Sequence, residues 1–262
     1  AALALWLLFS WFLADAASES RIRAQIKNER AAVDTQADNI AHNIDINLDY
    51  LHGIPTLVAR NEKVLAALSR LGTPSAPSAE QRKKAWSEDA GLIAVNSFLE
   101  LAGASLGADV VWITNAAGDC IASSNVNKPD SFVGTNYADR DYFRLVRAGK
   151  PGHQYAMGRK TNIPGLFFSS PITINGRFAG VAVAKIDLPN LSHWVNQADA
   201  FISDEFGIII LAADRTLEMR ALPHETIARL SRNERMARYK QADFSPLAIN
   251  SWKNPRFSSL HH

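Results

Sequence analysis

The chain has 262 residues, 47% of them hydrophobic, with 28 basic and 26 acidic side chains for a net charge of +2. That length and apolar content suffice to bury one or two ordinary cores. A charge so close to balance lacks the basic footprint that a phosphate-backbone binder needs, so no nucleic acid partner is expected.

The chain opens on "AALALWLLFSWFLADAAS", where fourteen uncharged, mostly apolar residues precede Asp15. At about 1.5 Å per residue these span about 21 Å of a hydrocarbon core roughly 30 Å thick, so further apolar residues are expected upstream. Two readings fit the stretch: a signal peptide with "ADAAS" as its small-residue cleavage site, or the end of an uncleaved anchor. The next thirty-odd residues favour the anchor. Ile22, Ile26, Ala32, Val33, Ile40, Ile44, Leu48 and Leu51 recur at helical spacing with charges between them, and no breaker separates them from the apolar stretch. Residues 1–17 are therefore expected to end a transmembrane signal anchor and 18–71 to form a long stalk helix. The apolar surplus of that helix would suit a homodimer. The single cysteine, Cys120, gives no disulfide framework and is compatible with a periplasmic home.

"LGTPSAPSAEQRKK", with two prolines among small polar residues, reads as a loop. A second helix is expected in "AWSEDAGLIAVNSFLELAGASLG", with Leu92, Val95, Phe98, Leu99 and Leu106 recurring and Gly107 at the stop. From Ala108 the period changes to that of strands. "ADVVWITNAAGDCIASSN" has the pattern of an antiparallel hairpin with a glycine turn. "RDYFRLVRAG" is a short amphipathic insert helix, and "GLFFSSPITINGRFAGVAVAKIDL" two more strands joined by "INGR". A helix in "LPNLSHWVNQA" leads to a shorter round of the same grammar: strands around the turn in "AFISDEFGIIILAAD", a helix in "HETIARLSRNERMARY" and a last strand in "SPLAINSW". The end of the chain shows no pattern closure, and His261 and His262 read as a tag remnant rather than a metal site. The chain is expected to be part of a larger protein.

The order helix, strand pair, helical insert, strand pair is that of a PAS-like sensor fold. "ASSN", "FVGTNYADRDYFRLVRAGKPG", "AMGRKTNIPGLFFSSPITINGRFAGVAVAKIDL" and "FISDEFGIIILAADRTLEMRALP" together resemble the periplasmic double-Cache (tandem PAS-like) region of bacterial transmembrane sensors, above all the C4-dicarboxylate sensor histidine kinases. The likeness runs over roughly residues 87–239, with the motifs in the family's order. It implies an α+β fold: a long N-terminal helix carrying two tandem PAS-like (Cache) modules with antiparallel sheets. Residues 85–197 would form the membrane-distal ligand-binding module and 198–252 the membrane-proximal one.

By position, the resemblance implies a pocket made by Tyr137, Arg140, Arg159, Lys160, Thr161, Ser169 and Lys185. Tyr155 could be part of the pocket or of the core. Planar arginine forks, a lysine point charge and neutral hydroxyl donors are what a carboxylate needs. Lys185 follows Val181 and Val183 at strand period two, so it should share their apolar face, where a buried lysine needs an anion. That anion could be the ligand, or a carboxylate such as Asp187 or Asp141. Arg140 could face the pocket or brace the insert helix. Arg159 and Lys160 are adjacent, so one of them should face solvent. They stand where dicarboxylate sensors tend to have small hydroxyl residues, which makes them the place where ligand choice would be decided. Ser169 and Ser170 alternate faces, and the choice of Ser169 rests on the resemblance. Tyr142 and Phe143 read as core, and His153 and His193 as lone polar residues rather than metal ligands.

No Ser/His/Asp order, HExxH, CxxC, Walker loop or paired-carboxylate signature is present, and no cofactor is expected. The expected function is the extracytoplasmic sensing region of a bacterial inner-membrane receptor that binds a small organic anion. The resemblance implies a sensor histidine kinase of a two-component system as the parent, with the catalytic output outside this chain. A diguanylate cyclase or a chemoreceptor is the alternative output. A secreted hydrolase or a structural binding module is the rival from another class.

Overall fold

A computed structural model describes residues 2–71, 78–196 and 200–248. It divides into two compact units, residues 1–48 and 49–262. The first is helical throughout, as the first part of α1 (Ala2–Ala59). Among the described residues no helix is long and apolar enough to cross a membrane.

The expected stalk helix does not run unbroken to Leu71. α1 stops at Ala59, and α2 (Glu62–Leu71) restarts after a two-residue break. Pro55 removes a backbone donor from the last turns of α1. The backbone then tightens, with Arg60 N–H donating to Leu57 O and Asn61 N–H to Val58 O. The Asn61 side chain accepts from Lys63 N–H at 3.0 Å and starts the new helix. The loop expected before the second helix is helical in part. Ser78 caps α3 (Ala79–Ser87) by accepting from Gln81 N–H, and Asp89 caps α4 (Ala90–Leu106) by accepting from Leu92 N–H. Gly107, at φ 72°, closes α4 in the left-handed conformation that glycine adopts without penalty.

Five antiparallel strands form the main sheet in the order β2-β1-β5-β4-β3: β1 (Val110–Asn115), β2 (Cys120–Ser123), β3 (Gly152–Met157), β4 (Pro164–Ile174) and β5 (Arg177–Asp187). Both pairs of strands read from the sequence are there. β3 is an addition, written by "GHQYAM" between the insert helix and the "GRKT" turn. The insert helix itself is α5 (Asp141–Arg147).

The sheet is covered on both faces, so β1 is buried along its whole length. The register places Trp112, Val183 and Ser169 side by side, and Val110, Lys185 and Phe167 in the next row. This face packs under α5 and the segment before it, where Tyr137, Tyr142, Phe143 and Val146 are buried with Trp112 and Phe167. The opposite face meets α4, through Leu92, Val95 and Leu99, and the end of α1, through His52 against Phe168 and a Thr56 to Ser170 hydroxyl contact of 2.7 Å.

A second, two-stranded sheet comes next, β6 (Phe201–Ser203) with β7 (Ile209–Ala212) around a turn at Gly207. Ahead of it, the helix expected in "LPNLSHWVNQA" begins as a 3-10 turn, Leu188–Leu191, and continues as α6 (His193–Asn196), with Gln197 and Ala198 outside the described residues. The helix expected in "HETIARLSRNERMARY" is likewise a 3-10 turn, Ile227–Arg229, followed by α7 (Arg232–Tyr239). A capping box between Ser231 and Glu234 fixes the start of α7. Of the last expected strand, Pro246 makes a single bridge to Ala221, and residues 249–252, with His261 and His262, lie outside the described residues.

His52 gives the fold a pH dependence. Burial lowers its proton affinity, and His153 of β3, 5.9 Å away ring to ring, lowers it further, against the pull of Asp49. The unfolded chain therefore takes up this proton more readily, and stability should fall as pH drops below about 6.5. Urea midpoints at pH 7.5 and 5.5 should differ less in His52→Gln than in the wild type. Equal differences would show that the dependence comes from elsewhere.

Candidate functional site

The face of the main sheet under α5 carries an unusual density of polar groups for a core. Lys185 has no solvent exposure. Its ammonium is paired with Asp187, two residues on along β5, and donates to Thr161 Oγ1 at 3.2 Å. Of the two sources of negative charge open from the sequence, ligand or protein, the protein supplies one here. The space for this long side chain comes from glycines. A Cβ on Gly165 would stand 2.8 Å from Lys185 Cε, and one on Gly158 would stand 2.3 Å from Thr161 Oγ1.

Arg140 is in a different state. It stands just before α5, is 7% exposed, and its guanidinium donates to the Met157 carbonyl at 3.1 Å. Among the described residues no carboxylate pairs with it. A buried guanidinium with five N–H donors and one neutral acceptor is short of negative charge.

Five buried side-chain donors lack hydrogen-bond partners among the described residues, and three of them lie on this face: Trp112 Nε1, Tyr137 OH and Tyr142 OH, the others being Ser87 Oγ and Tyr155 OH. Their rings form one cluster. Trp112 lies 5.8 Å from Tyr137 and 6.0 Å from Tyr142, and Phe167 stacks on Tyr142 at 5.4 Å with the Lys185 ammonium 6.0 Å over its ring. Burial pushes the Tyr137 phenol far up, helped by Cys120 and opposed by Arg159, Arg140 and the neighbouring Thr135 hydroxyl, so of the three donors Tyr137 OH has a polar neighbour on the chain itself. Burial does the same to Tyr142, with Tyr137 adding to it and the two arginines opposing. Both phenols therefore stay protonated donors at any ordinary pH. Each buried donor left without an acceptor costs about 1–3 kcal/mol, so a cluster of them is an expensive arrangement for the protein alone.

The residues singled out from the sequence do not all meet at one place. Tyr137, Arg140, Thr161, Ser169 and Lys185 share the covered face. Ser169 is already committed, donating to Tyr142 O at 2.8 Å. Arg159 reaches back over the cover, donating to Asp139 at 2.5 Å and to Asn136 O at 2.7 Å, with its guanidinium 5.4 Å over the Tyr137 ring. Lys160 is exposed and makes no ion pair among the described residues. Tyr155 belongs to the opposite side of β3 from Ala156 and Gln154, and its ring meets Tyr239 of α7 at 5.7 Å. Trp112 and Tyr142 were not assigned to the pocket from the sequence. Trp112 lies on the same β1 face as Val110, and that parity was legible, but a missing partner is a tertiary fact.

A cleft of about 390 Å³ also opens between α5 and α7, with Arg140, Gln154 and Arg159 on one wall. It mixes charges of both signs, and of the groups short of an acceptor only Arg140 lines it, so the covered face, where the indole and the phenols lie, is the better candidate for binding a small ligand.

The Lys185 and Asp187 pair yields an asymmetric prediction. Asp187 keeps some solvent access and Lys185 none. Asp187→Ala, which strands a fully buried cation, should cost about 3 kcal/mol or more, and Lys185→Met clearly less. Urea unfolding of the two variants checks the order.

No family model matches the chain. It is 32% identical over 206 residues, 77% of its length, to the C4-dicarboxylate transport sensor protein DctB of Rhizobium meliloti, and 31% identical over 109 residues, 41% of its length, to that of Pseudomonas aeruginosa. These matches span 28% and 18% of the two proteins. Among solved structures, the sensor domain of the V. cholerae histidine kinase DctB superposes with a TM-score of 0.67 at 24% identity, over 83% of this chain and 81% of that one. In sequence the chain is thus a relative of the C4-dicarboxylate transport sensor proteins, and its fold, a long N-terminal helix with an antiparallel sheet, matches that of the DctB sensor domain.

Proposed function

We propose that the chain is the extracytoplasmic ligand-sensing region of a bacterial inner-membrane receptor, and that the parent protein is a sensor histidine kinase. Its ligand would be a small organic acid held on the covered face of the main sheet. The observation that carries this reading is the pair of buried donors without acceptors, Trp112 Nε1 and Tyr142 OH, with Tyr137 OH next to them, beside an Arg140 guanidinium without a carboxylate. An acid brings what they lack. One carboxylate would take Arg140 in a fork, and further acceptor oxygens would take the phenols and the indole.

The same inventory favours acceptor-only ligands. Arg140 and the Trp112 indole can only donate and the phenols can donate too, so a dicarboxylate such as succinate fits. The ammonium of an amino acid would find Asp187 already holding Lys185, Asp141 holding Arg144 and Asp139 holding Arg159. The relatives' names, which specify C4-dicarboxylates, support the same ligand class for this chain. Residues 85–197 would be the ligand module and 198–252 a second module without ligand. Residues 1–17 would belong to a membrane anchor, and the helix after them would pair with a second copy. The continuity of α1 from Ala2 through the apolar stretch supports that placement.

A thermal-shift screen of small organic acids tests the reading. An acid at 100 times its dissociation constant should add about 2.7 kcal/mol of stability, and α-amino acids should add little. Arg140→Ala should abolish the response. If no acid in a broad panel raises the melting temperature, or if Arg140→Ala responds like the wild type, the site is misassigned.

Tyr142→Phe separates binding from folding. Removing a buried hydroxyl that has no partner should leave the ligand-free protein as stable as before, or about 1 kcal/mol more stable, while weakening binding of the acid. A variant that loses stability and keeps its affinity would mean that the hydroxyl serves the fold.

A further inference from the structure

Arg238, near the end of α7, is the buried cation of the second sheet's surroundings, and two carboxylates compete for it. It is 7% exposed. On its own side it donates to Glu205, in the turn between β6 and β7, at 2.7 Å, and its guanidinium lies 4.9 Å over the Phe206 ring. Across from it, Asp141 of α5 stands at 3.9 Å, within electrostatic reach and beyond hydrogen-bond range. Asp141 immediately follows Arg140, the unpaired cation of the candidate site. It is tied to β3 by Gln154, which accepts from Asp141 N–H and donates to its carboxylate, each at 3.1 Å, and its other carboxylate oxygen already pairs with the exposed Arg144 of the same helix. The first turn of α5 thus holds the site on one side and faces Arg238 on the other. A shift of about 1 Å in that turn would turn the loose contact into a charge-assisted hydrogen bond of normal length.

We infer that Arg238 is the coupling residue between the two sheets: when an acid draws Arg140 and the start of α5 towards itself, Arg238 changes its balance between Glu205 and Asp141 and carries α7 with it. This rests on the proposed site. It goes beyond it by naming the contact through which an occupied site is felt in the second sheet, where nothing touches the ligand. A buried guanidinium shared by two acids is a two-position element, and a ligand acts on such an element only through its different affinity for the two positions. The adjoining contacts move with it. Tyr239, the next residue, hydrogen-bonds Asp204 of the same turn, and its ring meets Tyr155, next to Gln154 on β3.

Reciprocity supplies the test, because a contact that reports the ligand must also set its affinity. The probe is succinate, titrated calorimetrically into the whole sensor region. Glu205→Gln removes the competitor for Arg238, favours its pairing with Asp141, holds the start of α5 away from the site, and should weaken succinate binding about threefold or more. Arg238→Gln removes the attraction on Asp141 and should tighten binding by a similar factor. Both variants should lower the melting temperature of the ligand-free protein, so stability alone cannot mimic changes of opposite sign. Opposite shifts in affinity support the coupling. Unchanged affinities, or shifts in the same direction, overturn it while leaving the site intact. A wild-type protein that binds neither succinate nor any other acid of the panel overturns both.

Discussion

Charge placed on a face of a sheet that is covered from both sides must be neutralised by whatever lies within a few ångströms, since water cannot do it. The main sheet contains Lys185 with no exposure and Arg140 with almost none, both under the same cover. Lys185 meets the constraint internally, through Asp187 and the Thr161 hydroxyl, and a set of small residues at 158 and 165 makes room for it. Arg140 does not meet it. The result is a floor that is electrostatically complete and a cover that is not, and the incomplete half also holds the phenols and the indole without acceptors. Such costs are tolerated in native cores where something outside the chain repays them.

Interactions that fix the cover differ in strength along its length. α5 is held by Tyr142, Phe143 and Val146, all buried in the aromatic cluster. Moving it as a unit would expose several large side chains, each worth about 1.5–3 kcal/mol. The stretch before it is held by other means. Arg159 with Asp139 is a partly exposed ion pair of the sort that contributes about 0–1 kcal/mol, and Arg140 with the Met157 carbonyl is a single hydrogen bond to a neutral acceptor. The buried Tyr137 ring, Tyr137 N–H on Gly118 O at 2.8 Å and the Asn136 amide on Ala117 O and Asp119 seat residues 136–140 more firmly than these two contacts. In this arrangement Arg159 lies over Tyr137, with its charge already spent on Asp139, and Lys160 points to water. On the proposed site, ligand choice would rest with Tyr142 and Trp112 inside.

Much of this was legible in the sequence, for reasons that are local. Lys185 could be put on the inner face because strand parity from Val181 and Val183 needs no tertiary information. The hairpin of β1 and β2, and the pair β4 and β5, are marked by glycine turns between apolar runs. β3 was missed because "GHQYAM" has neither an apolar run nor clean alternation. Its strand character comes from pairing with β4, from Gly152 opposite Ser169 to Met157 opposite Pro164. Once that register is known, Tyr155 must lie on the face away from Phe167 and Ser169, and its place beside Tyr239 is then fixed. The break at Arg60 and Asn61 was hidden for another reason: the apolar spacing continues across it, and only Pro55 and the capping asparagine announce it. The identity of the unpartnered donors was out of reach, since composition can count hydroxyls and cannot say which of them fail to find an acceptor.

The second sheet has only two short strands, too few for independent stability, and it must borrow order from its surroundings. It does so through its turn. Asp204 accepts from Phe206 N–H, Ile208 N–H and the Tyr239 hydroxyl, and Glu205 takes Arg238, so α7 and the turn form one clamped piece. That piece meets the main sheet through Tyr155 and through the loose approach of Asp141 to Arg238. A small element clamped tightly to itself and lightly to its neighbour moves as a body when the neighbour shifts. Because interior packing is bistable rather than compliant, a displacement of about 1 Å at the start of α5 is enough to select between two positions of that body. The lightness of the contact is thus what allows a small anion, bound on one sheet, to be registered at the other.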